Sequence, residues 1–242
     1  MRLVFALLAC LLCVGAAPAP SDPPSVDVAL VLVTDVSRSI DDPEFALEKQ
    51  GYATAFTDPR VVAAISGGMS GAIAVSYVEF AGEGQVHTVL DWTTIKGVDS
   101  ARGFADKLLA APRSFWGRTA ISAGIDRAMQ MLAEAPVAPL RRVIDVCGDG
   151  TNNAGREITE ARDQAVAAGV TINGLAIIND HPVSWTFAHV QPPGGLDHYY
   201  RENVTGGPGS FVLVVHDFQS FGEAMTRKLV SEIAMLSRPN LR

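Results

Sequence analysis

Residues 28–34, reading VALVLVT, form an apolar run that breaks abruptly into DVSRSI. Valine and leucine without polar alternation suit a strand buried on both faces of a parallel sheet, where each face meets a helix layer rather than water. A chain holding such a strand must supply covering elements for both sides. Asp35, Ser37 and Ser39 follow at once, three oxygen-bearing side chains at alternate positions. Ligand sites of open α/β sheets lie beyond the carboxyl ends of the strands, and converging carboxylate and hydroxyl oxygens suit a hard divalent cation. The same residue types also make ordinary turns and helix caps, so on this segment alone both readings stand.

The rest of the chain alternates strands and helices. Asp41, Asp42, Pro43 and Glu44 mark a helix start, and an apolar side carries that helix to about residue 56. Asp58-Pro59 interrupts it, and 61–65 adds a further turn or two. The spacing predicts a strand over 72–80 and a second hairpin arm over 86–90, which puts one antiparallel strand in the sheet. Ser100 is placed to cap the next helix, with Phe104, Leu108 and Leu109 on its inner face. Further segments are a helix over 120–135, a strand over 141–147, a helix over 158–168 and a strand over 170–178. Residues 179–195 are irregular, with a short helix near 185–189. A short helix over 196–202, a strand over 211–215 and a helix over 218–235 complete the chain. Phe221, Met225, Leu229 and Ile233 face inward on the last of these. This pattern predicts an α/β fold: a three-layer, doubly wound, mostly parallel sheet with one antiparallel strand.

Residues 1–19 stand apart. Arg2, an apolar run over 3–14 and the small residues GAAPA follow the plan of a secretory signal peptide. The run is too short to span a bilayer, which takes about 20 residues. The expected organisation is therefore a signal peptide over 1–19, a linker over 20–25, one domain over 26–235 and a tail over 236–242. That layout implies a periplasmic or secreted protein with no stable membrane span after cleavage. Without Arg2, 18 basic residues face 26 acidic ones, a formal charge of −8. No basic stripe offers a surface for nucleic acid. Cys10 and Cys13 leave with the leader, so Cys147 remains alone, in a strand pattern that favours burial.

The strand-end rule joins residues scattered along the chain. Asp35, Ser37 and Ser39 follow the first strand, Asp149 follows the strand ending near Cys147, and Thr119 opens the helix that leads into that strand. Two carboxylates, three hydroxyls and water make an oxygen-only set suited to Mg²⁺ or Mn²⁺. Soft ligands are missing, which argues against zinc.

Asp35-x-Ser37-x-Ser39, Thr119 and Asp149-Gly150 resemble the five-part metal-ion-dependent adhesion site of von Willebrand factor type A domains, over about residues 26–235. More specifically, VLVTDVSRSID, SYVEFAG, GRTAISAGID and RVIDVCGDGTNNAG resemble a proteobacterial family of exported proteins of unknown function (DUF1194-like). The resemblance implies that the two serines coordinate directly and that Asp35 and Asp149 act directly or through water. It also implies that Thr119 changes between direct and water-mediated contact. One metal position would stay open for an acidic residue from a protein ligand. The implied protein is a non-enzymatic binding domain. The alternatives are a metal-dependent envelope hydrolase and a structural or assembly protein with a vestigial site.

Other chemistry is weaker. Residue 37 is serine where a haloacid-dehalogenase DxD arrangement needs its second acid, and no GxSxG elbow or GK[ST] phosphate loop occurs. His181, His189 and His198 read as solvated loop residues, and Met129 and Met131 as core filling. Asn152 and Asn153 read as loop formers ahead of supports for the site, Asp145 as facing a helix terminus ahead of a buried second carboxylate, and Trp116 as loop packing ahead of a partner contact.

Overall fold

The computed structural model describes residues 22–178 and 192–234. The expected leader, the C-terminal tail, the short helix expected near 185–189, and His181 and His189 lie outside the described residues.

Six strands form one sheet: β1 (Ser25–Asp35), β2 (Ile73–Phe80), β3 (Val86–Ile95), β4 (Ala138–Gly148), β5 (Thr171–Ile177) and β6 (Val212–Val215). Their order is β3-β2-β1-β4-β5-β6. Every neighbouring pair is parallel except β2 with β3. The helices are α1 (Asp42–Thr57), α2 (Pro59–Ser66), α3 (Val98–Ala110), α4 (Ile121–Ala133), α5 (Ile158–Ala167), α6 (Leu196–Tyr199) and α7 (Phe221–Ala234). A π-helical turn, Tyr200–Val204, continues α6.

The apolar run is the central strand β1, and its alternate residues divide the core in two. Val28, Leu30 and Leu32 face a layer that includes Tyr52 and Phe56 of α1, Phe104 of α3 and Leu229 of α7. Ala29, Val31 and Val33 face Ile121 and Ile125 of α4, Ala161 of α5 and Tyr200. A strand apolar from Val28 to Val33 thus serves two helix layers at once. α1 and α7 cross very closely: a Cβ on Gly51 would stand 2.4 Å from a Phe221 ring carbon and 3.1 Å from the Gly222 nitrogen.

α1 begins as its sequence predicts. Asp41 accepts from the Glu44 amide at 2.8 Å, and the Glu44 carboxylate accepts from the Asp41 amide at 2.9 Å. This reciprocal box satisfies donors that a helix start leaves bare.

Four expectations change. β3 runs on to Ile95 rather than stopping at residue 90, because antiparallel pairing with β2 resumes beyond Asp91 and Trp92 at Val75↔Thr93 and continues to Ile73↔Ile95. Irregular register between Val75 and Val78 lets this edge strand carry Asp91 outward. α3 is preceded by Gly97 at its N-cap. Ser100 lies inside the first turn, accepting from the Lys96 amide at 3.0 Å and donating to the Gly97 carbonyl at 2.9 Å. Leu109 is 42% exposed, because Ala101, Phe104, Ala105 and Leu108 already form the inward stripe. Asp145 does not face a helix terminus. It is fully buried, with the Lys228 ammonium 2.5 Å away. The expected inward positions of α7, the burial of Cys147 and the core placement of Met131 all hold.

Candidate metal centre

β1 and β4 are neighbours, with Thr34 opposite Cys147. The chain leaves β1 for β2 on one side and returns to β4 on the other, so their carboxyl ends mark the switch point where such sheets bind ligands. Asp35 closes β1, and Asp149 directly follows β4.

The five candidate residues meet there in one hydrogen-bonded chain. The Thr119 hydroxyl donates to the Ser37 hydroxyl at 3.2 Å, and the Ser37 and Ser39 hydroxyls share a bond of 2.9 Å. Ser39 donates in turn to the Asp149 carboxylate at 2.9 Å, while the Ser37 amide donates to Asp35 at 2.7 Å. Asp35, Ser37, Thr119 and Asp149 are all buried, whereas Ser39 is half-buried and its neighbour Arg38 is exposed. The cluster therefore opens to solvent on the Ser39 side.

Three loops are tied together to hold it. The Val36 amide donates to the Phe80 carbonyl at 2.8 Å and the Arg38 amide to the Gly117 carbonyl at 3.0 Å. One Arg113 nitrogen donates to three carbonyls of the first loop: Val36 and Ser37 at 2.8 Å, and Ile40 at 2.9 Å. Its guanidinium stacks on the Trp116 ring at 3.6 Å. Trp116 thus packs one face on Arg113 while remaining 53% exposed. Asn153 does more than form a loop. Its side-chain oxygen accepts from the Thr119 amide at 3.0 Å, and its own amide donates to the Thr119 carbonyl at 2.8 Å. Asn152 accepts from the Ser122 amide at 3.0 Å, holding the start of α4.

Two more acids lie beneath the cluster. Glu48 of α1 is completely buried, and neither of its carboxyl oxygens has a partner of normal geometry. Burial pushes its carboxyl well above the usual range; the nearby Cys147 thiol offsets part of that, while Asp35, Asp149 and Glu79 add to it. Burial also raises Glu79, although the Ser114 amide donates to it at 2.8 Å. Both shifts favour the neutral form of Glu48 and Glu79.

Among the described residues, no group of three or more His, Cys, Asp or Glu side chains is arranged to hold a metal ion. The candidate set has two carboxylates and relies on hydroxyls for the rest. Its all-oxygen chemistry and converging lone pairs fit a hard divalent cation such as Mg²⁺ or Mn²⁺.

Arg113, Glu48, Glu79 and the pair Tyr199 and Tyr200 escaped the sequence reading. Glu48 left a faint signal, falling between Phe45 and Tyr52 on the face that α1 buries. Arg113 left none, since its role depends on carbonyls more than 70 positions away.

Residues 25–237 match the family described as Protein of unknown function (DUF1194). The chain belongs to that family. Solved structures show what the DUF1194 fold is similar to. The pilus adhesin SpaC from Lactobacillus rhamnosus GG is 12% identical, over 88% of this chain and 31% of that one, with a TM-score of 0.63. A von Willebrand factor type A protein from Catenulispora acidiphila is 15% identical, over 86% of this chain and 43% of that one, with a TM-score of 0.58. Proximal thread matrix protein 1 from the mussel byssus, in a form with a zinc-occupied MIDAS motif, is 17% identical, over 90% and 49%, with a TM-score of 0.56. The chain spans less than half the length of each. At these identities the likeness is one of fold, and the expected von Willebrand factor type A-like architecture is met. No curated protein matches the chain. Among the described residues, no helix is long and apolar enough to cross a membrane.

Proposed function

We propose that this DUF1194 chain is an exported, non-enzymatic domain that binds a protein ligand through a divalent cation. Asp35, Ser37, Ser39, Thr119 and Asp149 hold Mg²⁺ or Mn²⁺, and an acidic residue of the ligand completes the coordination from the open Ser39 side. Export follows from removal of residues 1–19, leaving the domain over 26–235 in the periplasm or outside the cell. The observation that carries this reading is the hydrogen-bonded chain of Thr119, Ser37, Ser39 and Asp149, drawn from three loops at the switch point. The fold shared with a pilus adhesin supports a binding role. The hydrolase alternative needs a general base in reach of water. Glu48 and Glu79, two further carboxyls that interact with the cluster or with each other, are both sealed from solvent.

Calorimetry on residues 20–242 tests the reading. Wild type takes up Mg²⁺ or Mn²⁺ at one saturable site, and Asp35→Ala and Ser37→Ala each weaken it by at least about tenfold, the lower end of what disturbing a metal site costs. Equal uptake by wild type and both variants would sink the cation reading and move the structural alternative ahead.

A further inference from the structure

The segment from α6 into the π-helical turn places two consecutive tyrosines against the candidate centre. The Tyr199 hydroxyl accepts from the Asn152 amide at 3.1 Å, bracing the loop that carries Asp149. Tyr200 goes deeper. It is completely buried, its ring set edge-on to that of Tyr199 with centroids 6.4 Å apart. Its hydroxyl has no hydrogen-bond partner among the described residues.

Gly148, the last residue of β4, leaves room for that hydroxyl. A Cβ built there would meet the Tyr200 oxygen at 2.9 Å, the Asp35 Cβ at 2.9 Å and an Asp35 carboxylate oxygen at 3.1 Å. The phenol and the Asp35 carboxylate therefore face the same point, and only a residue without a side chain leaves it clear. Burial raises the Tyr200 phenol, and Asp35, then Cys147 and Asp149, raise it further. A buried donor with no acceptor is costly and calls for a role. π-Helical turns recur at functional sites, where they re-aim side chains.

We propose that Tyr200 is a positioning residue of the cation site, whose hydroxyl supports the Asp35 side of the site when a divalent ion is held and stands idle otherwise. The inference rests on the cation reading above. Partners outside the ligand shell fix how ligands point, and losing one typically weakens metal binding by about 10–100-fold. Without the ion, the idle hydroxyl only adds a desolvation cost.

Tyr200→Phe separates these effects, because it keeps the ring that fills the core. Calorimetry with Mg²⁺, repeated with Mn²⁺, is combined with thermal melting in the presence and absence of each ion. The expected result is ion affinity lower by about tenfold, a smaller ion-induced rise in Tm, and an ion-free Tm equal to or above that of wild type. Ion binding by wild type and Y200F with the same affinity would overturn the role of Tyr200 alone and leave the cation reading standing. A fall in ion-free Tm matching the fall with ion would also overturn it, showing a purely structural hydroxyl. Failure of wild type to take up either ion would overturn the cation reading and this inference together.

Discussion

Lys228→Ala lowers the free energy of unfolding by about 3–5 kcal/mol, the usual cost of leaving buried charge without its partner. Lys228 on α7 is fully buried, with its ammonium 2.5 Å from Asp145 of β4 and 2.6 Å from Glu232 one turn along. The Asn173 amide of β5 donates to the same Glu232 oxygen at 2.8 Å. One cation thus serves two carboxyl groups, and the set pins α7 to the middle of the sheet. Burial and the neighbouring Glu232 push Asp145 up to about 7, against the pull of Lys228. Its folded value lies above its unfolded one near 3.8. The folded state therefore holds the extra proton between those values, and this contribution to stability is lost as pH rises from about 4 to about 7. In Lys228→Ala the remaining carboxyls lose their counter-charge, so the defect is larger at pH 8 than at pH 5. Urea denaturation at both pH values measures it. A loss below about 1 kcal/mol at pH 8, the scale of an exposed pair, would show that the triad does not anchor α7. Asp145→Asn should flatten the pH dependence between 4 and 7.

Arg113→Ala destabilises the protein by about 3 kcal/mol and weakens Mg²⁺ binding by at least about tenfold. Its side chain is 7% exposed, and its guanidinium gathers the Val36, Ser37 and Ile40 carbonyls of the loop that carries the DxSxS residues. Charged donors to carbonyls are worth about 1.5–3 kcal/mol each, although three made by one group do not add fully. Arg113→Lys should recover little, since an ammonium lacks the planar fork and the stacking face that Arg113 sets against Trp116. Thermal melting and calorimetry on the same preparations check both halves. Lower stability with unchanged ion affinity would mean that Arg113 supports the fold without shaping the first loop.

The layered architecture was readable from sequence because it follows from periodicity. An apolar, valine-rich run at residues 28–34 suits a doubly covered strand, and the Asp41–Glu44 box is a local hydrogen-bond motif. That Asp35, Ser37, Ser39, Thr119 and Asp149 come together was readable for a related reason, since the parallel strands of an α/β sheet end along one edge. Local pattern also explains the misses. Leu109 lies one residue beyond the stripe that packs, and Asp91 looked like the end of a strand that an edge position let continue.

Other features depend on pairing between distant segments, which no local pattern encodes. Nothing around Asp145 announces Lys228, and nothing near residue 37 announces Arg113. The same holds for the orphan hydroxyl of Tyr200 beside Gly148 and for the buried Glu48, whose carboxyl is pushed above the usual range. Chain chemistry and spacing establish which layers form and which oxygen atoms gather at the sheet's edge. Packing establishes which charges are buried, which carbonyls are gathered and which hydroxyl is left without a partner among the described residues, because desolvation and hydrogen-bond geometry exist only once the layers have closed.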